Sequence, residues 1–391
     1  MALTPLFVAA LDWPTLPQQL VNGLQLGAIY ALLALGYTMV YGVLRLINFA
    51  HGEVYMLGAY TALLVSYRLG FEPGATNAPE GSVASLVTML LASMAVCALV
   101  GVAIERFAYR PMRRHSRIAT LITAIGVSLL LQYGGALFLP SSPPKSISEK
   151  VNPYRGAIEA TLVPASQEAR DKIARFEPLY LESKKEFEAY MSTSSVNRFN
   201  LPPEGLALRK RMQDAEKEYL DAQRQAESSE VKLKVQKGQL IIFGMTVLLM
   251  AILTYVVLFT KLGRAMRAVS HDFDSASLMG VNVNTVITFT FILGSALAGA
   301  GAMMTATFLG TPLTTFYGLI PGVKAFVAAV LGGIGNIPGA VLGGLLMGVA
   351  ENLVVWADYS HYRDAIAFVI LIVVLLFRPG GLLGSSKIEK V

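Results

Sequence analysis

Charge is scarce in this chain. Only 15% of its 391 residues are Asp, Glu, Lys or Arg, while 54% are hydrophobic; a soluble domain carries about a quarter charged residues. That balance excludes an ordinary cytosolic enzyme. There is one cysteine, Cys97, so an intrachain disulfide is impossible, and no Cys/His cluster offers a metal site. Cys97 sits inside LVTMLLASMAVCALVG and is expected to be a packing or lipid-side thiol. No GxxxxGK[ST] cradle for nucleotide phosphates occurs, and neither HExxH nor GxSxG. Catalytic chemistry therefore has no visible seat. The first twenty residues lack a basic stretch and are interrupted by Asp12 and by Pro14 and Pro17 just after it, so a cleaved signal peptide is not expected there.

What charge there is lies mostly in one place. Residues 140–238 hold 32 of the 58 charged residues. The remainder reads as a membrane-embedded body. Its stretches without Asp, Glu, Lys or Arg run 13–44, 81–104, 118–144, 238–260, 275–323 and 325–350, with shorter apolar pieces at 54–67 and 365–377. A crossing helix needs about 20 apolar residues, so eight to ten membrane helices are expected, some broken or re-entrant. The net charge of +6 follows the positive-inside pattern and not a nucleic-acid groove. Arg106, Arg110, Arg113, Arg114 and Arg117 form one basic loop, and Lys261, Arg264 and Arg267 form a second; both read as cytoplasmic. Two crossings separate them, which puts the charged insert on the external side. The organisation expected is 1–139, N-terminal membrane helices; 140–238, the external insert; and 239–391, C-terminal membrane helices. Lys387–Val391 would be cytoplasmic.

Within the insert, Pro140, Pro143 and Pro144 end a membrane helix, and no periodicity is clear over 141–164. Apolar or small residues then recur in 4,3 spacing at Ala169, Ile173, Phe176, Tyr180, Ser183, Phe187 and Tyr190, and again at Leu208, Met212, Ala215, Tyr219, Ala222 and Ala226. Pro202, Pro203 and Gly205 interrupt the chain between them. The pattern predicts a coiled-coil helical hairpin over about 165–236. It is either a docking surface or a tolerated decoration.

Polar residues inside apolar runs carry the functional signal. Asn48, His51 and Glu53 lie in RLINFAHGE, either a capped turn or a broken helix at membrane depth, where Asn48 and His51 would hydrogen-bond a ligand and Glu53 would pair with a cation or with Arg45. Lys324 is the only charge between Asp274 and Glu351, so it needs a partner or a wet cavity; Asn336 follows it in a Gly/Pro-rich break. Glu53 and Glu351 are the only candidate carboxylates expected within the membrane. The segment 263–282 contains Arg264, Arg267, Asp272, Asp274 and Gly280; Ala268, Asp272 and Ala276 would share one face of a short amphipathic helix that Gly280 ends. Small-residue rows at Gly23, Gly27 and Ala31 and at Gly335, Gly339 and Gly343 suit close helix packing.

These blocks together resemble the permease of a branched-chain amino acid importer of the ATP-binding-cassette class, LivH type. The resemblance is carried by LVNGLQLGAIYALLALGYTMVYGVLRLINFAHGEVYMLGAY (20–60), GRAMRAVSHDFDSASLMGVN (263–282), KAFVAAVLGGIGNIPGAVLGGLLMG (324–348) and FRPGGLLG (377–384). It covers the membrane body; the insert departs from the family pattern. It implies a multi-pass subunit of the bacterial inner membrane that holds no cofactor itself. ATP and Mg would be bound by two cytoplasmic ATPase subunits. A LivM-like permease, or a second copy, would complete the path, and an external amino-acid-binding protein would deliver substrate. The segment 261–282 would couple to an ATPase. Urea or short amides are alternative cargoes, and a self-contained secondary transporter is the alternative mechanism.

Overall fold

The computed structural model describes residues 13–72, 79, 81–113, 115–139, 156–193, 201–310 and 312–384. Asp12, Arg114, Pro140, Pro143, Pro144 and the tail from Lys387 lie outside them. Two units make up the chain: a helical body of Gln19–Ala157 with Val235–Val391, and a smaller unit built mainly on Ile158–Lys234.

The body begins with α1 (Leu16–Leu44), α2 (His51–Arg68), α3 (Val83–Ala103) and α4 (Arg117–Phe138). After the insert come α7 (Lys237–Phe259), α8 (Lys261–His271), α9 (Phe273–Leu278), α10 (Val283–Met304), α11 (Leu319–Gly332), α12 (Ile337–Trp356) and α13 (Ala365–Phe377). Six helical stretches are long and apolar enough to cross a membrane: Trp13–Leu44, Val83–Met112, Ile118–Phe138, Lys237–Phe259, Val283–Leu309 and Ile337–Trp356. With the shorter α2, α11 and α13, nine membrane elements stand among the described residues, an all-α polytopic body as expected. Helices are the natural solution because lipid satisfies no backbone N–H or C=O. Side chains serve the ends: Ser82, Ser116, Asn282 and Asn336 accept from the backbone N–H of Ser85, Ala119, Thr285 and Gly339.

Small residues set the packing. The row Gly23, Gly27 meets Gly344, Leu345, Gly348 and Val349 of α12, so that a methyl group built on Gly27 would stand 2.7 Å from Leu345 Cα. The second row does not form one contact line. Gly339 and Gly343 face Gly332 and Ala328 of α11, on a side of α12 about 100° from Gly344 and Gly348. Gly335 belongs to neither face: it adopts φ +93° in the turn before α12, a conformation that suits glycine. Between α2, α3 and α10, Gly58, Cys97 and Gly299 lie together; Ser93 Oγ donates to Gly58 O at 3.0 Å and the Cys97 thiol to Val54 O at 3.2 Å. Cys97 is therefore a packing thiol. Around this core, α4, α7 and α13 present exposed Leu, Ile and Val side chains, the surface that lipid or another membrane chain covers.

The smaller unit is a two-stranded ribbon carrying a helical hairpin: β1 (Ala157–Val163), α5 (Gln167–Thr193), α6 (Pro203–Ser229) and β2 (Val231–Gln236). All thirteen residues of the two 4,3 series are buried or half-buried. Tyr180 stacks on Tyr219 at 5.4 Å and Lys172 Nζ donates to Gln225 Oε1, which makes the helices antiparallel. The strand pair is not marked in the sequence, where 141–164 shows no clear periodicity; six of the seven residues of β1 are exposed.

Candidate functional site

Two helices start inside the body. Arg45, at φ +53°, turns the chain out of α1, and α2 then begins at His51. The His51 ring lies edge-on to Tyr37 at 4.6 Å, and a methyl group on Gly36 would run into both His51 and Gly294 O. Gly294 stands eleven residues into α10, roughly 16 Å along its axis. The start of α2 is thus packed against the middle of α10, inside the helical body. α11 begins beside it, and a methyl group on Gly322 would stand 2.8 Å from Gly52 Cα.

A cavity of about 280 Å³ opens where these two helix starts meet α4, lined among others by Tyr37, Phe49, Gly52, Glu53, Gln132, Gly318 and Phe326. Glu53 reaches it from the first turn of α2, where a carboxylate is favoured by the helix dipole. One oxygen, Oε1, accepts from Gln132 Nε2 at 2.6 Å and Ser128 Oγ at 3.2 Å. The other, Oε2, is buried without a hydrogen-bond partner. Of the five residues assigned to the pathway, only Glu53 lines this cavity. Asn48 is buried below it, accepting from Ala50 N–H and Tyr109 Oη at 3.1 Å each. Lys324 projects from the other side of α11 and pairs with Glu351 at 2.7 Å and Asp364 at 2.6 Å. Arg363 and Tyr30 also donate to Glu351. Asn336 caps α12 and donates to Leu383 O at 2.7 Å, holding the segment after α13.

Three participants were missed. Gln132 and Ser128 are polar residues within the charge-free run 118–144, the signal that was available for them. Glu105 is a third fully buried carboxylate, against the expectation of two. It sits in a π-helical stretch, Ile104–Tyr109, that prolongs α3. Arg110 pairs with it at 2.9 Å, Arg113 closes on it directly, and Thr288 donates to it at 2.9 Å. In the sequence Glu105 only bounds the charge-free run 81–104, beside Arg106. π-Stretches recur at functional sites, and this one delivers Tyr109 to Asn48.

The segment after α7 is two helices, not one. Asp272 leaves helical geometry (φ −154°, ψ 122°) and caps α9 by accepting Ser275 N–H at 2.9 Å. Ala268 and Ala276 therefore belong to separate helices, which corrects the expected common face with Asp272. Capping competes successfully with continuation because Asp favours the N-cap. Its carboxyl is held below the ordinary aspartate range, chiefly by that backbone hydrogen bond. Gly280 ends α9 at φ +82°. On α8, Met266 and Val269 are buried, and Arg267 bonds Val257 O and, at 3.4 Å, Leu258 O, fastening α8 to the end of α7. A smaller cavity of about 90 Å³ separates Met266 and Ser270 from Thr38, Gly42 and Gly335. Arg264, Asp274, Leu278 and Met279 are exposed.

Nine apolar elements with two helices interrupted around a cavity define a multi-pass membrane protein of the transporter class. Comparison with known proteins makes the assignment specific. Residues 19–375 match the family described as branched-chain amino acid transport system / permease component. The chain is 37% identical over 374 residues to the high-affinity branched-chain amino acid transport system permease protein BraD of Pseudomonas aeruginosa, covering 96% of this chain and 97% of BraD. It is 34% identical over 377 residues to LivH of Escherichia coli K12, with 96% and 97% covered. A probable LivH of Methanocaldococcus jannaschii is 32% identical over 157 residues, 38% of this chain and 49% of that protein. No solved structure matches. The chain belongs to the family of branched-chain amino acid transport permeases, and is a multi-pass permease component of the inner membrane.

Proposed function

We propose that this chain is one of two membrane subunits of an ATP-binding-cassette importer that moves branched-chain or closely related amino acids inward. The observation that carries the reading is the end-to-end similarity to BraD and LivH. The cavity at the meeting of α2 and α11 supports it, since interrupted helices are where transporters bind their cargo. Glu53 and Gln132 would then face the pathway, while Asn48 and His51 hold the start of α2.

The chain supplies no nucleotide site of its own in this reading. ATP and Mg belong to two cytoplasmic ATPase subunits that dock on α8 and α9. The exposed cations of α8 and the exposed Leu278 and Met279 suit such contact, and the buried Met266 and Val269, packed into the apolar core, offer a mechanical route inward. A LivM-like permease covers the lipid-side face of the path, and an external binding protein delivers the substrate. The hairpin unit stands on that external side, with 140–238 inserted between two membrane halves.

The test is to purify the chain, tagged at its C-terminus, from native membranes in mild detergent. Two ATPases and a second permease are expected to accompany it. A chain that emerges alone yet supports uptake without ATP overturns the reading in favour of a secondary transporter.

A further inference from the structure

Glu53 is a carboxylate left half-satisfied. Its Oε1 is fixed by two donors from α4, Gln132 Nε2 at 2.6 Å and Ser128 Oγ at 3.2 Å. Both act on the same oxygen, so Oε2 is left buried and without a hydrogen-bond partner. The side chain is 1% exposed, and the residue lines the 280 Å³ cavity. No lysine, arginine or histidine lines that cavity. Elsewhere in the body the pattern is the opposite: Glu105 and Glu351, equally buried, each have both oxygens bonded, arginines supplying both for Glu105 and cationic side chains one each for Glu351. A carboxylate at membrane depth without a cation is costly unless the counter-charge arrives with an occupant.

We infer that Glu53 Oε2 receives the primary ammonium group of the translocated amino acid, whose aliphatic side chain lodges against Leu129, Val323 and Phe326. This rests on the transport reading above. The other end of a zwitterion is provided for as well. α11 begins on the cavity at Gly318 and Leu319, and the amino end of a helix favours a carboxylate. A cavity with one anionic corner, one helix amino end and apolar walls is built for a small α-amino acid with a hydrocarbon side chain. A neutral amide would bring an N–H donor to Oε2 but no counter-charge.

The inference is tested on the complete complex in nanodiscs, without the binding protein, whose own selectivity would mask the result. Binding of labelled L-leucine is measured against two competitors: 3-methylbutylamine, which keeps the ammonium, and 4-methylpentanoate, which keeps only the carboxylate. The amine is expected to compete and the acid to compete far less. Glu53→Gln, which preserves shape, should weaken leucine binding at least about tenfold, the scale of a lost hydrogen bond to a charged group. Glu53→Asp should lie between the two. Assembly of each variant is checked by size exclusion. Equal competition by both analogues, or wild-type binding by Glu53→Gln, overturns the inference. If the complex moves no branched-chain amino acid but the amine binds and is lost in Glu53→Gln, the ammonium site stands and the transport reading falls.

Discussion

Lys324 and Glu351 form an ion pair at 2.7 Å inside the helical body, with Glu351 fully enclosed. The only cation in a 76-residue stretch of the sequence has found the carboxylate that ends that stretch. Lys324 also holds Asp364, while Arg363 and Tyr30 complete the shell of Glu351. The network joins α1, α11, α12 and the segment leading to α13.

Burial decides which member of this network matters. Glu351→Gln removes the one fully enclosed charge of the network; Lys324 keeps Asp364 and Arg363 is half-exposed, so the cost should lie below the about 3–5 kcal/mol of a buried charge left unpaired. Asp364 is 63% exposed, so Asp364→Asn should cost under about 1 kcal/mol. Thermal inactivation of the detergent-purified complex should therefore fall clearly for the first variant and little for the second. Equal shifts would contradict the assigned burial.

The glycine contacts give a similarly graded expectation. Gly27→Ala drives a methyl group into the α12 backbone, whereas Gly126 and Gly244 have nothing within 4 Å of an added Cβ. Gly27→Ala should destabilise by about 1–3 kcal/mol. Gly126→Ala should be neutral or mildly stabilising, since alanine favours helix by up to about 1 kcal/mol. Yield of folded subunit by fluorescence-detected size exclusion separates the two.

In the segment proposed to couple to an ATPase, Asp272→Ala removes the cap of α9 and Gly280→Ala strains its end at φ +82°. Both should abolish most substrate-stimulated ATP hydrolysis while the subunit stays in the membrane. Asp272→Asn keeps an N-cap acceptor and should retain stimulation. Because the Asp272 carboxyl is held below its ordinary value, its cap is complete at neutral pH and is lost only as pH falls through that lowered value. Stimulation unchanged in the alanine variants would end this assignment.

Much of this was legible in the sequence, and the omissions have physical causes. Charge-free runs mark the crossing helices because lipid tolerates little else, and the 4,3 spacing from Ala169 to Tyr190 marks the α5 seam directly. Glu53 announced itself as a polar residue among apolar ones. Lys324 announced its need for a partner, but the sequence does not say that Glu351, 27 residues away, lies on the facing side of α12. Glu105 was hidden by its arginine neighbours, since nothing in a linear reading separates a buried carboxylate from a loop. The break at Asp272 was obscured because 4-residue spacing fits one helix as well as two.

The hairpin unit can be removed at a place the structure suggests. Ser166 N–H donates to Ser229 Oγ at 3.0 Å, so a short Gly/Ser linker can replace 167–228 and leave the ribbon in place. The shortened subunit should still assemble and support uptake. Lost affinity for the binding protein would instead make the hairpin its docking surface.

The central claim is met most directly by uptake itself. The complex isolated through this chain is reconstituted in proteoliposomes with its binding protein, and entry of labelled L-leucine is followed. The account predicts accumulation that requires hydrolysable ATP and ceases with a non-hydrolysable analogue. Leucine entry driven by an ion gradient without ATP would contradict it.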